Sequence, residues 1–461
     1  MARDTSDDTP ITSVRDLVQR LADGGKPRED WRIGTEHEKV GFCRATHRPV
    51  PYEGRGGIRH LLEGMAGLLG WEPILDRGLP IGLVDPTGGG AISLEPGGQF
   101  ELSGAPVETL HHTCAETHAH MAQVREIAEP LGIEFLSLGI SPMWSLAETP
   151  VMPKSRYAIM SDYMPTVGAR GLDMMFRTAT VQVNLDFADE ADMVAKMRAS
   201  VALQPIATAL FANSPLLDGK PTGRLSERSE IWRDTDNARS GMIPFVFQPG
   251  YGFETYVEWA LDVPMYFVKR GEHYHTATDV TFRQYMAGAL KDRVPHGMPT
   301  RGDWDNHLST LFPEVRLKRF LEMRGADSGP TRRILALPAF WVGLLYDDRS
   351  LQAALDLTAD WTDEERQTLR DRVPTTALAT PFRGGAVLDI ARIAVALARE
   401  GLQRRARLNR DGVDEAMYLA PLDETLALGR TPAELLLDKF HGAWRGDVDR
   451  VFGDYAIMPA A

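Results

Sequence analysis

A chain of 461 residues with 43% hydrophobic and 25% charged side chains has the composition of a large globular protein, which excludes wholesale disorder. The formal net charge of -13 supplies no basic footprint for nucleic acid or an anionic membrane surface, and no stretch approaches the uninterrupted apolar length of a membrane span. Two cysteines, Cys43 and Cys114, are too few for a disulfide framework, and both read as free thiols.

The acidic start, MARDTSDDTP, lacks the basic residues and apolar run of a secretory signal, so a cytoplasmic location is expected. Val14, Leu17, Val18 and Leu21 then fall at helical spacing behind Ser13 as a cap. A first strand is predicted from Arg32 to Phe42, with Glu36 and Glu38 on one face and His37 on the other. Taken alone, that pair of glutamates is accounted for equally well by a solvated strand face. An apolar helical run at His60 to Leu69 lies between glycine-rich turns at 54–57 and 88–90.

Residues 89–104, GGAISLEPGGQFELSG, read as one extended stretch. Glu95, Gln99 and Glu101 share one parity, and Ile92, Leu94, Phe100 and Leu102 share the other. The Pro96-Gly97-Gly98 break is expected to bend or bulge the strand and aim both carboxylates into one cavity. Pro106 to Ala128 reads as a long helix with Leu110, Cys114, Met121, Val124 and Ala128 on its inner stripe. His111, Cys114 and His118 share one face of it, but a zinc site needs a fourth, usually distant, ligand, helix-face histidines are commonly solvated, and packing against the sheet is the simpler reading.

A second hairpin or strand region follows from Ile133 to Ile140, and residues 152–171, without clear periodicity, are expected to be a structured loop at the mouth of a site. Thr180 to Phe187 alternates Val181, Val183, Leu185 and Phe187 with Gln182, Asn184 and Asp186, a strong strand pattern. Met193 to Ala212 is a buried helix ended by Asn213-Ser214-Pro215. The charged stretch 224–242 is either a solvated loop or the place where Arg233 or Arg239 grips a substrate carboxylate through two hydrogen bonds. After an aromatic-rich run at Tyr256 to Val268, RFLEMRGAD puts Glu322 and Arg324 on one face of another strand. The remainder, from about residue 330, is helical, with Val387 to Arg399 the clearest amphipathic helix, closed near Gly401. With no repeat and no linker, residues 1–461 are expected to form a single α+β unit with a helical C-terminal part.

Carboxylates and amide oxygens select hard cations such as magnesium or manganese, and acids with arginines in one cavity suit ATP chemistry. There is no GxxxxGK[ST] loop and no GxGxxG after a strand, which leaves a nucleotide site on a carboxylate-lined antiparallel sheet. The absence of GxSxG and HExxH disfavours a nucleophilic hydrolase or a zinc protease.

Several long motifs, GTEHEKVGF, GGAISLEPGGQFELSGAP, MMFRTATVQVNLDF, ALQPIATALFANSPLLDGKPTG, ALDVPMYFV, FPEVRLKRFLEMRGAD and LPAFWVGLLYDD, resemble the plant and proteobacterial type of glutamate–cysteine ligase. The similarity extends from about residue 31 to the C-terminal DVDRVFGDYA. What the resemblance implies is a glutamine-synthetase-like antiparallel β-sheet funnel surrounded by helices. The implied reaction is ATP-dependent joining of L-glutamate, through its phosphorylated γ-carboxylate, to the amine of L-cysteine, the first step of glutathione synthesis. By the same resemblance Glu36, Glu38, Glu95, Glu101 and Glu322 are the metal-binding acids for magnesium, Arg324, catalytic together with Glu322, serves the phosphate groups, and Gln182 faces metal or substrate; Asn184 is expected to face the substrates, and Trp232 and Arg239 are expected to recognise glutamate. A ligase with another amine acceptor, a non-catalytic sensor and a metal-dependent hydrolase are the competing readings. A monomer or homodimer is expected, without nucleic-acid or membrane partners. Plant members use disulfides as a redox switch. Here no cysteine follows Cys114, so that form of control is expected to be absent.

Overall fold

A computed structural model describes residues 5–457, and its organising element is the eleven-residue strand β1 (Ile33–Cys43). The other strands of the main sheet are β2 (Glu72–Asp76), β3 (Leu79–Val84), β4 (Ala91–Leu94), β5 (Phe100–Ser103), β6 (Ile133–Leu136), β7 (Thr180–Leu185), β8 (Val315–Leu317) and β9 (Leu321–Asp327). They are ordered β8-β9-β7-β1-β5-β4-β3-β2, with β6 paired to β1, and all these pairings are antiparallel. β1 is long enough to be shared, its first half lying between β5 and β7 and its second half against β6.

Alternation along these strands gives the sheet two unlike faces. On one, Ile92, Leu94, Phe100, Leu102 and Phe135 pack against Leu61, Leu62 and Met65 of α2 (Ile58–Leu69) and Val124 and Ala128 of α3 (Leu110–Ala128). Toward β7 and β9, Val181, Val183, Leu185, Leu321 and Met323 join the largest core together with α6 (Glu190–Leu210) and α8 (Thr331–Leu345). α9 (Asp348–Thr358), α10 (Asp363–Thr376) and α11 (Val387–Arg405) pack on α6 in turn. The antiparallel sheet flanked by helices matches the fold class read from the sequence. The first helix, α1 (Val14–Ala22), starts at Ser13 as expected.

Four local expectations change. Residues 89–104 do not form one bent strand. Pro96 and the left-handed Gly98 (φ +87°) reverse the chain completely, with Gly98 N–H donating to the Glu95 carbonyl at 2.9 Å, so β4 and β5 make a hairpin. Residues 152–171 are mainly helical rather than irregular: α4 (Ser155–Tyr163) buries Tyr157 and Met160, Pro153 and Pro165 flanking it instead of interrupting it, and α5 (Gly171–Arg177) follows. The charged stretch 224–242 contains a short helix, α7 (Glu227–Ile231), in which Glu227 and Arg228 are buried rather than solvated. Finally, α11 continues past Gly401 to Arg405. Gly401 is a point of close approach to α8, where a Cβ would meet the Gly343 carbonyl oxygen at 1.9 Å, and the helix is capped by the left-handed Ala406.

Candidate active site

The polar face of the sheet is not solvated. Direct cross-strand neighbours lie on the same face of an antiparallel pair, and the registers Glu38↔Glu101, Ser93↔Glu101, Glu36↔Gln182 and Asn184↔Glu322 gather the polar side chains of five strands into adjoining rows. Helices α4, α5 and α7 and the 309–312 connection cover those rows and border a cavity that opens to solvent, about 900 Å³ with its mouth included. Exposures of 8% for Glu36 and 2% for Glu101 rule out the reading in which these carboxylates face water.

Glu36, Glu38, Glu95 and Glu101 all line this cavity. Glu36 accepts from the Asn184 amide at 2.8 Å, Glu38 from the Thr180 N–H at 2.9 Å, and Glu101 from the Ser93 and Ser103 hydroxyls at 2.6 and 2.9 Å. Burial, with Glu322 and Glu101 nearby, raises the Glu36 carboxyl above its ordinary range. Burial, with Glu95 and Glu101, raises Glu38 well above it. Acids that resist ionisation together are relieved by a cation. A donor set made only of carboxylate and amide oxygen fits a hard divalent ion such as magnesium. Among the described residues no group of three or more His, Cys, Asp or Glu is arranged to hold an ion, so the acids share the cavity without forming a finished coordination sphere. That statement also covers His111, Cys114 and His118: His111 bonds the Tyr418 hydroxyl at 2.9 Å and His118 the Cys114 carbonyl at 2.8 Å. Cys43 and Cys114 are both free thiols.

The structure places Glu322 apart from the other acids. It is fully buried beneath the cavity, held by Arg316 at 2.8 Å, Lys318 at 2.9 Å and Arg324. Burial works against its ionised form, but these three cations outweigh it and keep the carboxyl well below its usual range. In this arrangement Glu322 is the anchor of a basic cluster beneath the cavity, whereas the other four acids of the sequence reading line it. Its partner Arg324 does line the cavity, in a β-bulge after Met323, and also donates to Gln182 Oε1 at 2.6 Å. Gln182 and Trp232 are cavity residues too, whereas Asn184 serves Glu36.

Arg239 departs from the sequence reading, which had it facing the substrates. It is fully buried and does not reach the cavity: Nε meets Asp236 at 2.6 Å, Nη1 the Thr310 carbonyl at 3.2 Å, Nη2 the Pro264 carbonyl at 2.7 Å, and the guanidinium stacks 3.9 Å from the Tyr266 ring centroid. With every nitrogen engaged, it braces the 309–312 connection. Arg233 is likewise consumed, by Glu230 and Asp371. The arginines that do line the cavity, besides Arg324, are Arg156, Arg228 and Arg316, which the sequence reading passed over. A signal pointed to two of the three. Arg228 lies four residues before Trp232, which opens the turn following its helix, and Arg316 stands directly opposite Glu322 in the β8–β9 hairpin. The cavity thus has an acidic side built on β1 and the β4–β5 hairpin, and a basic side built on α4, α7, β8 and β9. Carboxylates on one side suit a cation, and guanidiniums on the other suit anionic groups.

The family model described as glutamate-cysteine ligase family 2 (GCS2) matches residues 32–454. The chain is 58% identical to a chloroplastic glutamate–cysteine ligase of Nicotiana tabacum over 443 residues, 96% of this chain and 82% of the relative. It is 56% identical to the chloroplastic glutamate–cysteine ligase B of Oryza sativa subsp. japonica, over 96% of this chain and 87% of that one. Among solved structures, the Francisella tularensis glutamate–cysteine ligase in complex with AMP superposes with a TM-score of 0.53 at 10% identity, over 91% of this chain and 88% of that one, and so shares the fold. The named relatives are chloroplastic proteins, which overturns the cytoplasmic location expected from the first ten residues; the composition of that short stretch does not encode the compartment. Match length and identity together decide the family: the chain belongs to glutamate-cysteine ligase family 2.

Proposed function

We propose that the protein joins the γ-carboxylate of L-glutamate to the amine of L-cysteine at the expense of ATP, giving γ-glutamylcysteine, ADP and phosphate. The observation that carries this reading is the division of one cavity into four carboxylates and four arginines. Transfer of a phosphoryl group onto a carboxylate brings two anions together, and catalysis is then chiefly positioning and charge compensation.

Glu36, Glu38, Glu95 and Glu101 would hold magnesium, which supplies neutralisation of the phosphate chain when bound. Arg324, clamped by Glu322 and Gln182, presents a fixed guanidinium to the transferring phosphoryl oxygens. Arg228 is 3% exposed and uses one Nη on the Arg324 carbonyl at 2.8 Å, leaving the rest of its fork for the glutamate α-carboxylate beside Trp232. Met160, Met174, Met175 and Phe312 line the remainder of the space and keep water from the acyl phosphate until the cysteine amine attacks its carbonyl carbon and phosphate leaves.

The test is ADP release by the purified protein with magnesium and ATP, adding glutamate, then cysteine, then 2-aminobutyrate in place of cysteine, with the product weighed by mass spectrometry. The expected result is ADP release that requires both amino acids, a product at the mass of γ-glutamylcysteine, and loss of turnover on chelation. No ADP release under any combination would overturn the ligase reading. A product with 2-aminobutyrate alone would assign a different amine acceptor.

A further inference from the structure

Helix α10 contributes nothing to the lining of the cavity, yet its last two turns hold both ends of the segment that carries Arg228 and Trp232. Leu225 and Ser226 donate their N–H groups to the Pro374 carbonyl at 2.8 and 3.0 Å, a carbonyl in the last turn of the helix that has no intrahelical partner. Arg233 Nε donates to Asp371 at 3.1 Å. Between these points Arg370 spans two separate pieces of the cavity wall. Its Nε donates to Glu314 at 2.9 Å, and its Nη2 donates to the Trp232 carbonyl at 3.3 Å. Both members of the Arg370–Glu314 pair are nearly buried, with side chains 10% and 12% exposed.

Glu314 is itself a junction. Its N–H donates to the Gly241 carbonyl at 3.0 Å, and its carbonyl accepts from the Arg324 N–H at 3.2 Å. It lies two residues from Phe312 and two from Arg316, both of them cavity residues. Gly241, at φ +95°, takes a backbone that would strain any side chain, and it lies in ordinary contact range of the Arg370 guanidinium, 3.5 Å from where its Cβ would be.

We infer that Arg370 is a positioning residue of the glutamate side of the cavity: it locks the Arg228–Trp232 segment to the Phe312–Arg316 wall without touching substrate. This rests on the proposed placement of glutamate beside Arg228 and Trp232. Lysine cannot reproduce the function, because one ammonium on a flexible stem reaches Glu314 or the Trp232 carbonyl but lacks the planar fork that holds both at once.

The test compares Arg370→Met, Arg370→Lys and Glu314→Gln with the wild type and with Arg372→Gln, a change at an exposed position of the same helix. The KM for glutamate, the KM for ATP, kcat and amide hydrogen exchange of residues 225–233 and 309–316 are measured for each. Expected are a glutamate KM raised roughly tenfold in Arg370→Met and Glu314→Gln, a smaller rise in Arg370→Lys, an ATP KM unchanged, faster exchange in both segments, and Arg372→Gln like the wild type. A purely structural role would lower the thermal midpoint and the active fraction and leave both KM values alone, and that result would overturn the inference. Should Arg370→Met fail to fold, Arg370→Lys decides by the same readings. Inactivity of the wild type would count against the ligase reading, and exchange in the two segments would then decide the positioning role by itself, unchanged exchange refuting it.

Discussion

Glu322 sits against Arg316, Lys318 and Arg324, whereas Glu38 sits against Glu95 and Glu101, and the two carboxylates answer to substitution in opposite ways. Glu322→Gln leaves three buried cations without their anion, which costs on the order of 3 to 5 kcal/mol, so both activity and the thermal midpoint are expected to fall. Glu38→Gln removes a carboxylate whose charge its neighbours already oppose. Activity is expected to disappear while the midpoint stays at or above the wild-type value. Paired thermal scans and turnover assays separate the two. Glu116 gives a pH signature away from the cavity. Burial pushes its carboxyl up to about 7, and the Ala105 N–H at 2.6 Å offsets this only in part. Between the ordinary value near 4.5 and about 7, the folded chain keeps a proton that the unfolded chain has released. Stability therefore falls as pH rises across that window, by up to about 3 kcal/mol, and is flat above it. Glu116→Gln is expected to abolish this slope, making the variant more stable than the wild type at pH 8 and not at pH 4, as urea midpoints at the two pH values would show.

Among the elements, the β4–β5 hairpin carries the most information per residue, because its turn holds Glu95 and its second strand Glu101. Gln99 ties the turn to α5, its amide donating to the Met175 and Thr178 carbonyls at 3.2 and 2.8 Å. The two glycines of the turn differ in what a side chain would meet. A Cβ on Gly97 would lie 2.1 Å from the Phe176 carbonyl oxygen, whereas one on Gly98 would meet only the terminal methyl of Met152 at 3.2 Å, with the strain of φ +87° added. Gly97→Ala must push the turn off α5 and is expected to cost about 2 to 3 kcal/mol and most of kcat/KM, against about 1 kcal/mol for Gly98→Ala. Equal urea midpoints for the two variants would contradict this ordering.

Over the whole molecule, one apolar core joins the sheet to the helices beyond residue 330. Val181, Val183, Leu321 and Met323 belong to the same cluster as Ile334, Phe340, Trp341 and Val395. Removing everything after residue 330 exposes that side of β7 and β9, so the shortened chain is expected to show no cooperative unfolding, and the full chain a single transition by calorimetry and near-ultraviolet circular dichroism. Independent melting of the shortened chain would show that the helical part is a separate unit. The helices that complete the core also brace the cavity, since Arg370, Asp371 and Pro374 of α10 reach the segment that carries Arg228 and Trp232.

Period-two alternation placed Glu36, Glu38, Glu101 and Gln182 on one face, because strand geometry fixes the side of each residue whatever the rest of the chain does. That alternation, with the long motifs around it, determined the strands, the acidic face, the fold class and the family. Only the tertiary structure decided which charges remain available. Arg239 and Arg324 look alike in the sequence, but Asp236 and two carbonyl oxygens take up the first, and the second opens on the cavity. Glu322 shares its strand face with Arg324, yet meets Arg316 and Lys318 across a hairpin and is closed off beneath the site. Arg370 acquires its place only when residues 56 and 138 positions away are folded against it. Local pattern sets the direction of a side chain; whether its charge is free or spent depends on partners that folding brings from a distance.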